Sequence, residues 1–140
     1  NVNGTELHYR DAGGGKDVVL LLHAFPLHSG MWSRQIALLS KRHRVIAPDY
    51  RGLGRSGGPP EATTMDLVAS DVRALLQHLR VERAGVAASE AIHVGDQYHS
   101  DVLGAKGVGI TPLLLDRDGF WEGVNDCPRI RSLGEIVNHL

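Results

Sequence analysis

The stretch that decides the fold is "VVLLLHAFPLH", Val18 to His28. Val18 to Leu22 is an unbroken apolar run of Val and Leu, preceded by Gly13-Gly14-Gly15 and followed closely by Pro26. A run of that length between turn signals reads as a strand buried on both faces, the kind found inside a parallel sheet. Working outward, Thr5 to Arg10 reads as a short edge strand. From Met31 to Leu39 the spacing turns helical, with Trp32, Ile36 and Leu39 on one face. Arg44 to Ala47 is a second strand, stopped by Pro48, and Gly52 to Pro60 is loop. Thr63 to Arg80 is the clearest helix: Leu67, Val68, Val72, Leu75, Leu76 and Leu79 form one stripe, and Thr63 with Asp66 matches a capping box.

Beyond that helix, Ile92 to Val94 is a third strand ending at Gly95. Asp101 to Lys106 starts another helix, with Asp101 as its cap, and Gly107 and Gly109 end it. Pro112 to Leu115 is a fourth strand, Asp118 to Arg131 is irregular, and Ser132 with Glu135 forms a capping box before a last helix. Alternating strands and helices imply an α/β fold: a three-layer sandwich around a mainly parallel, doubly wound, Rossmann-like sheet. The chain reads as a single domain, residues 1–140. The expected strand order is Arg44, Val18, Ile92, Pro112. The Arg44 and Pro112 strands would then be open edges that invite pairing with a second copy, so a homodimer is expected.

Composition narrows the partners. The 140 residues are 42% hydrophobic and 22% charged with a formal net charge of -1, so neither nucleic acid nor an anionic membrane surface is favoured. No apolar run approaches the roughly 18 residues of a membrane span. Cys127 is the only cysteine, which excludes an internal disulfide and a multi-cysteine metal site. A cytoplasmic setting and a small-molecule substrate are expected. No secretory signal is visible, and the chain opens at Asn1 rather than Met, which suggests a trimmed start.

His23-Ala24-Phe25-Pro26 follows the Val18 strand, and Asp49-Tyr50-Arg51-Gly52-Leu53-Gly54-Arg55-Ser56 follows the Arg44 strand. On these motifs residues 1–83 resemble the opening of the α/β-hydrolase family, esterase- and lactonase-like members included. The first is its HGxP oxyanion loop, with Ala24 where Gly is usual, and the second its D-x-R-G-x-G-x-S loop. The resemblance implies that the Phe25 N–H, next to Ala24, helps stabilise a tetrahedral oxyanion, and that no cofactor is required. The family's chemistry also needs a Ser on a G-x-S-x-G elbow, then an acid and a His, and none stands where the family has it. Ser89 in Ala87-Ala88-Ser89-Glu90-Ala91 imitates the elbow but precedes the Ile92 strand, which puts it at the N-terminal edge. Ser56, in Gly54-Arg55-Ser56-Gly57-Gly58, belongs to the loop after the Arg44 strand and reads as structural.

Residues 84–140 are similar to the C-terminal part of the haloacid-dehalogenase-like (HAD) hydrolases. Ile92 to Asp101 matches their hhhGD-x4-D motif, and Gly104-Ala105 and Gly109-Ile110-Thr111-Pro112 continue the match. This resemblance implies Mg²⁺ held by Asp96 and Asp101. The D-x-D-x-T nucleophile motif and the Ser/Thr and Lys motifs of that family have no counterpart here. The chain therefore reads as a chimera joined near Arg83-Ala84. Ser100, His99, His23 and Asp49 are the catalytic candidates, with Ser100 and either His99 or His23 as nucleophile and base. The alternative for His23 is a structural role within its own turn. The expected function is a hydrolase with weak or promiscuous carboxylesterase activity on small esters. The alternatives are a Mg²⁺-dependent phosphatase and a non-catalytic interaction domain.

Overall fold

A computed structural model describes residues 1–59, 63–81 and 88–139. The chain forms two compact units, Asn1–Ala84 and Gly85–Leu140. No described helix is long and apolar enough to cross a membrane.

In the first unit, β1 (Tyr9–Ala12), β2 (Val18–Leu20) and β3 (Arg44–Pro48) form one sheet in the order β1-β3-β2. β2 runs parallel to β3 with Val19 opposite Val45, and β1 runs antiparallel to β3 with Arg10 opposite Ala47. A parallel pair needs a crossover. Here it is a 3₁₀ turn, Ser29–Trp32, leading into α1 (Ser33–Leu39). Trp32, Ile36 and Leu39 are buried, so the predicted face is the one that packs. α2 (Met65–His78) opens where the Thr64 hydroxyl accepts the Leu67 N–H, one residue after the predicted cap. Its Val68, Val72, Leu75 and Leu76 close over Ile46 to form the core. Each such side chain taken out of water contributes about 1.5–3 kcal/mol.

Two expectations are corrected in this unit. β2 is only half-buried and lies at the end of the strand order; the buried strand is β3, whose Val45, Ile46 and Ala47 are all at 0%. β3 is also central rather than an open edge, because the chain before the Val18 run folds back to pair with it.

In the second unit, β4 (Ile92–Gly95), β5 (Thr111–Leu115) and β6 (Arg129–Ile130) are all parallel, in the order β4-β5-β6. β6 falls in the segment expected to be irregular, and it makes β5, the Pro112 strand, central rather than an edge. A π-helical turn, Tyr98–Val102, leads into α3 (Leu103–Gly107), so helical structure starts before Asp101. Val102, Ala105, Leu113, Leu114, Ile130 and Ile136 are buried. The predicted capping box of Ser132 and Glu135 is present, and it opens a 3₁₀ helix, Leu133–Asn138. The α/β class stands, with parallel strands joined through helices. The strands of the described residues nevertheless form two sheets of three, not one four-stranded sheet in the expected order.

Candidate active site

β2 delivers the chain to the His23–Pro26 loop: the Leu21 N–H still donates to the Ile46 carbonyl at 2.9 Å. His23 is then buried, with Nδ1 3.0 Å from the Ala24 carbonyl oxygen and Nε2 2.9 Å from the Tyr50 backbone nitrogen. A backbone N–H can only donate, so Nε2 is the acceptor and Nδ1 carries the hydrogen that goes to Ala24. The Tyr50 ring lies against the imidazole with centroids 3.9 Å apart. Burial pushes the Tyr50 hydroxyl up to about 12, so it stays protonated through the neutral range. Both ring nitrogens of His23 are thus engaged inside the loop, the structural alternative weighed for it.

The Ala24 carbonyl also accepts the Leu27 N–H at 2.8 Å. This matters for its neighbour. The Ala24 C=O and the Phe25 N–H are the two ends of one planar peptide group. Two donors on the oxygen, from His23 and Leu27, fix that plane and turn the Phe25 N–H the opposite way. Among the described residues nothing accepts the Phe25 N–H, and the Phe25 side chain is 72% exposed. The Phe25–Pro26 peptide is cis.

Asp49 follows β3 directly and is 1% exposed. Its Oδ1 accepts the Ser29 N–H at 2.6 Å; its Oδ2 accepts the Arg55 N–H at 2.9 Å and faces His8 Nδ1 at 3.0 Å. Burial alone would raise this carboxyl. The hydrogen bonds from Ser29 and Arg55, with the His8 imidazole, outweigh burial and hold it at about 2. Gly54 has φ +57, and a Cβ there would overlap the Asp49 carboxylate. Ser56 donates to the Asp49 carbonyl at 2.7 Å and accepts the His8 N–H at 2.9 Å. Every one of these Asp49 and Ser56 contacts is made to the unit's own loops and to the segment before β1. They tie the Asp49–Ser56 loop to the 3₁₀ turn before α1 and to His8.

Arg51 reaches from the same loop to α2. Its Nε meets Asp71 Oδ2 at 2.7 Å and its Nη2 meets Asp71 Oδ1 at 2.6 Å, a bidentate pair with Asp71 4% exposed. Asn3 completes it: the amide donates to Asp71 Oδ1 at 2.7 Å, and the Asn3 carbonyl accepts from Arg51 at 3.3 Å. Burial pushes the Asp71 carboxyl up, but Arg51 and Asn3 prevail and hold it below its ordinary value. Sequence reasoning missed this pair. Its signal was present: Val68, Asp71, Val72 and Leu75 fall at helical spacing, so a charge sits on an apolar face.

The second unit holds Asp96, His99, Ser100 and Asp101. Asp101 does not cap a helix that begins with it. Its Oδ2 accepts the Gln97 N–H at 2.9 Å while its own N–H donates to the Gln97 carbonyl at 2.8 Å, which closes the turn leaving β4. A Cβ on Gly95 would overlap that carboxylate, so the motif's glycine is a packing requirement. Ser100 Oγ lies 3.4 Å from Asp101 Oδ1, and His93 Nε2 lies 3.7 Å from the same oxygen. The His99 ring packs edge-on against Tyr98 and Trp121, with centroids 5.5 and 6.4 Å away, and no hydrogen bond joins it to Ser100 among the described residues. Asp96 is exposed, and its carbonyl accepts the Trp121 indole N–H at 3.0 Å. Ser89 lies in a 3₁₀ turn before β4, on its N-terminal side. Among the described residues no three His, Cys, Asp or Glu side chains converge on a cation. Mg²⁺ asks for several oxygens in near-octahedral order. With one Asp101 oxygen committed to Gln97, the residues present do not fit it.

The comparisons with known proteins agree with the motifs at the ends of β2 and β3. The chain belongs to the alpha/beta hydrolase fold family, whose model matches residues 17–88. It is 41% identical over 85 residues to the soluble epoxide hydrolase of Corynebacterium sp. (strain C12), covering 61% of this chain and 29% of that protein. It is 37% identical over 94 residues to the non-heme haloperoxidase of Rhodococcus erythropolis, covering 66% of this chain and 31% of that one. Among solved structures, a thermophilic esterase from Thermogutta terrifontis matches with a TM-score of 0.55 and 31% identity, over 79% of this chain and 40% of its own. The chain thus spans less than a third of the length of either of the first two relatives.

Proposed function

We propose that this chain is a hydrolase of small carboxylic esters that uses the Phe25 N–H as an oxyanion donor. The observation that supports it is the Ala24–Phe25 peptide, whose oxygen is held by two donors and whose N–H no described residue accepts. As an ester carbonyl becomes tetrahedral, negative charge gathers on its oxygen. A donor already pointed at that position stabilises the charge without reorganising. No cofactor enters this chemistry.

Turnover of p-nitrophenyl acetate tests this reading. Phe25→Pro removes the donor and lowers kcat by about 10²–10³. EDTA leaves turnover unchanged. Wild-type rates no faster than the buffer would refute the proposal. We also read residues 84–140 as a segment of HAD-like descent, on the strength of the Ile92–Asp101 motif. Because the Mg²⁺ fit fails, that descent brings no phosphatase reading with it.

A further inference from the structure

We propose that the Arg51–Asp71 ion pair is a positioning device for the Phe25 donor, anchoring the oxyanion loop to helix α2; this rests on the ester-hydrolase reading above. The connection is a continuous series of contacts. Asp71 is fixed in the middle of α2, a 14-residue helix whose neighbouring Val68, Val72 and Leu75 are buried. Its two oxygens accept from the Nε and Nη2 edge of Arg51, and Asn3 bridges the pair, accepting from Nη2 and donating to Asp71 Oδ1. Arg51 is bonded directly to Tyr50. The Tyr50 N–H is the donor that sets the His23 tautomer, and the His23 Nδ1–H is one of the two donors that set the Ala24–Phe25 plane.

Each link has few alternatives. The guanidinium is planar and meets the carboxylate through two parallel bonds, so it resists rotation as well as translation. Between α2 and the Asp49–Arg51 stretch, Leu7 and Tyr50 pack against the buried Val68 and Val72. If Arg51 were freed, the Tyr50 N–H would lose its alignment with His23 Nε2, and the imidazole would no longer be held to Ala24. Neither Arg51 nor Asp71 touches the substrate in this account. They act through His23 and the peptide plane.

The test uses the full chain, labelled with ¹⁵N, and three variants. Asp71→Asn and Arg51→Lys each remove the bidentate geometry. Leu39→Ala opens a cavity under α1, which lowers stability without touching the series. We expect the amide signals of Tyr50 and Phe25, and the ring nitrogens of His23, to move in the first two variants and to stay in place in the third. With p-nitrophenyl acetate the first two lower kcat by between about tenfold and about a hundredfold, with KM little changed, the cost of a misdirected catalytic group. Should Asp71→Asn fail to fold, Arg51→Lys, which keeps the charge, decides. The positioning role is overturned if the Tyr50, Phe25 and His23 signals coincide with wild type in a folded variant. If no variant and no wild-type sample turns over ester, the hydrolase reading falls and the NMR signals alone judge the positioning role.

Discussion

Asp49→Asn separates the charge of the loop-organising carboxylate from its shape. In the native chain three donors converge on it: the Ser29 N–H on one oxygen, and the Arg55 N–H with His8 Nδ1 on the other. Asparagine offers one oxygen and one NH₂, so either orientation turns a donor toward a donor. The acid at about 2, against its ordinary 3.8, measures how strongly the fold prefers the charged form. Read as linkage, that depression is worth about 2 kcal/mol at neutral pH. Asparagine resembles the protonated acid, so the variant should be less stable by about the same amount, on the order of 8 °C in Tm. The sign with pH follows from the direction of the shift. A lowered carboxyl contributes its full stability above the ordinary value and loses it as pH falls through the folded value. The gap between wild type and variant should therefore be constant from pH 7 down to about 4 and close between about 4 and 2. Urea titrations of both proteins at pH 7, 4, 3 and 2.5 measure it, and other carboxylates such as Asp71 cancel in the difference. A gap that persists unchanged at pH 2.5, or that is absent at pH 7, refutes the reasoning.

Three further outcomes are expected. Leu75→Ala, at 1% exposure in the core, should cost about 2–5 kcal/mol, whereas Met65→Ala, at 71% exposure on the same helix, should stay within about 0.5 kcal/mol; the two urea midpoints compare them directly. Gly95→Ala should cost about 1–3 kcal/mol because its Cβ overlaps the Asp101 side chain, Cβ and carboxylate alike, and the double variant with Asp101→Gly should recover part of that loss, a coupling read from a double-mutant cycle. Mg²⁺ should leave thermal unfolding unchanged and EDTA likewise; occupancy of a real site at about 100 times its Kd would add about 2.7 kcal/mol and a visible rise in Tm.

What the sequence made legible was local. The Trp32, Ile36 and Leu39 face, the α2 stripe and the Ser132–Glu135 box each depend on residues within a turn or two of one another, and each is present. Strand rank was not local. The Val18–Leu22 run carries more apolar residues than Arg44–Ala47, yet the latter is the buried strand because β1 and β2 pair on either side of it. An apolar run states that a strand can be covered; which neighbours cover it is decided by residues far along the chain. β6, two residues long, has no period to detect at all.

The candidate site divides along the same line. His23, Ala24 and Phe25 are consecutive, so their motif marks where an oxyanion donor would lie. Whether that donor is held in place depends on partners remote in sequence. Tyr50 stands 27 residues from His23, and the Asp71 that grips Arg51 stands 20 residues beyond it. Asp49 shows how chemistry-bearing residue type can mislead. A carboxylate after a buried strand suggests an acid for catalysis, but His8 and Ser29, 41 and 20 residues away, fill its oxygens. A charge buried this deeply persists only because every lone pair facing the protein has a donor. The same bonds that keep it ionised leave it little capacity to exchange a proton near neutral pH. Its contribution to the proposed reaction is then to hold two loops in register, and the oxyanion donor proposed for this region is a backbone N–H that composition and charge cannot reveal.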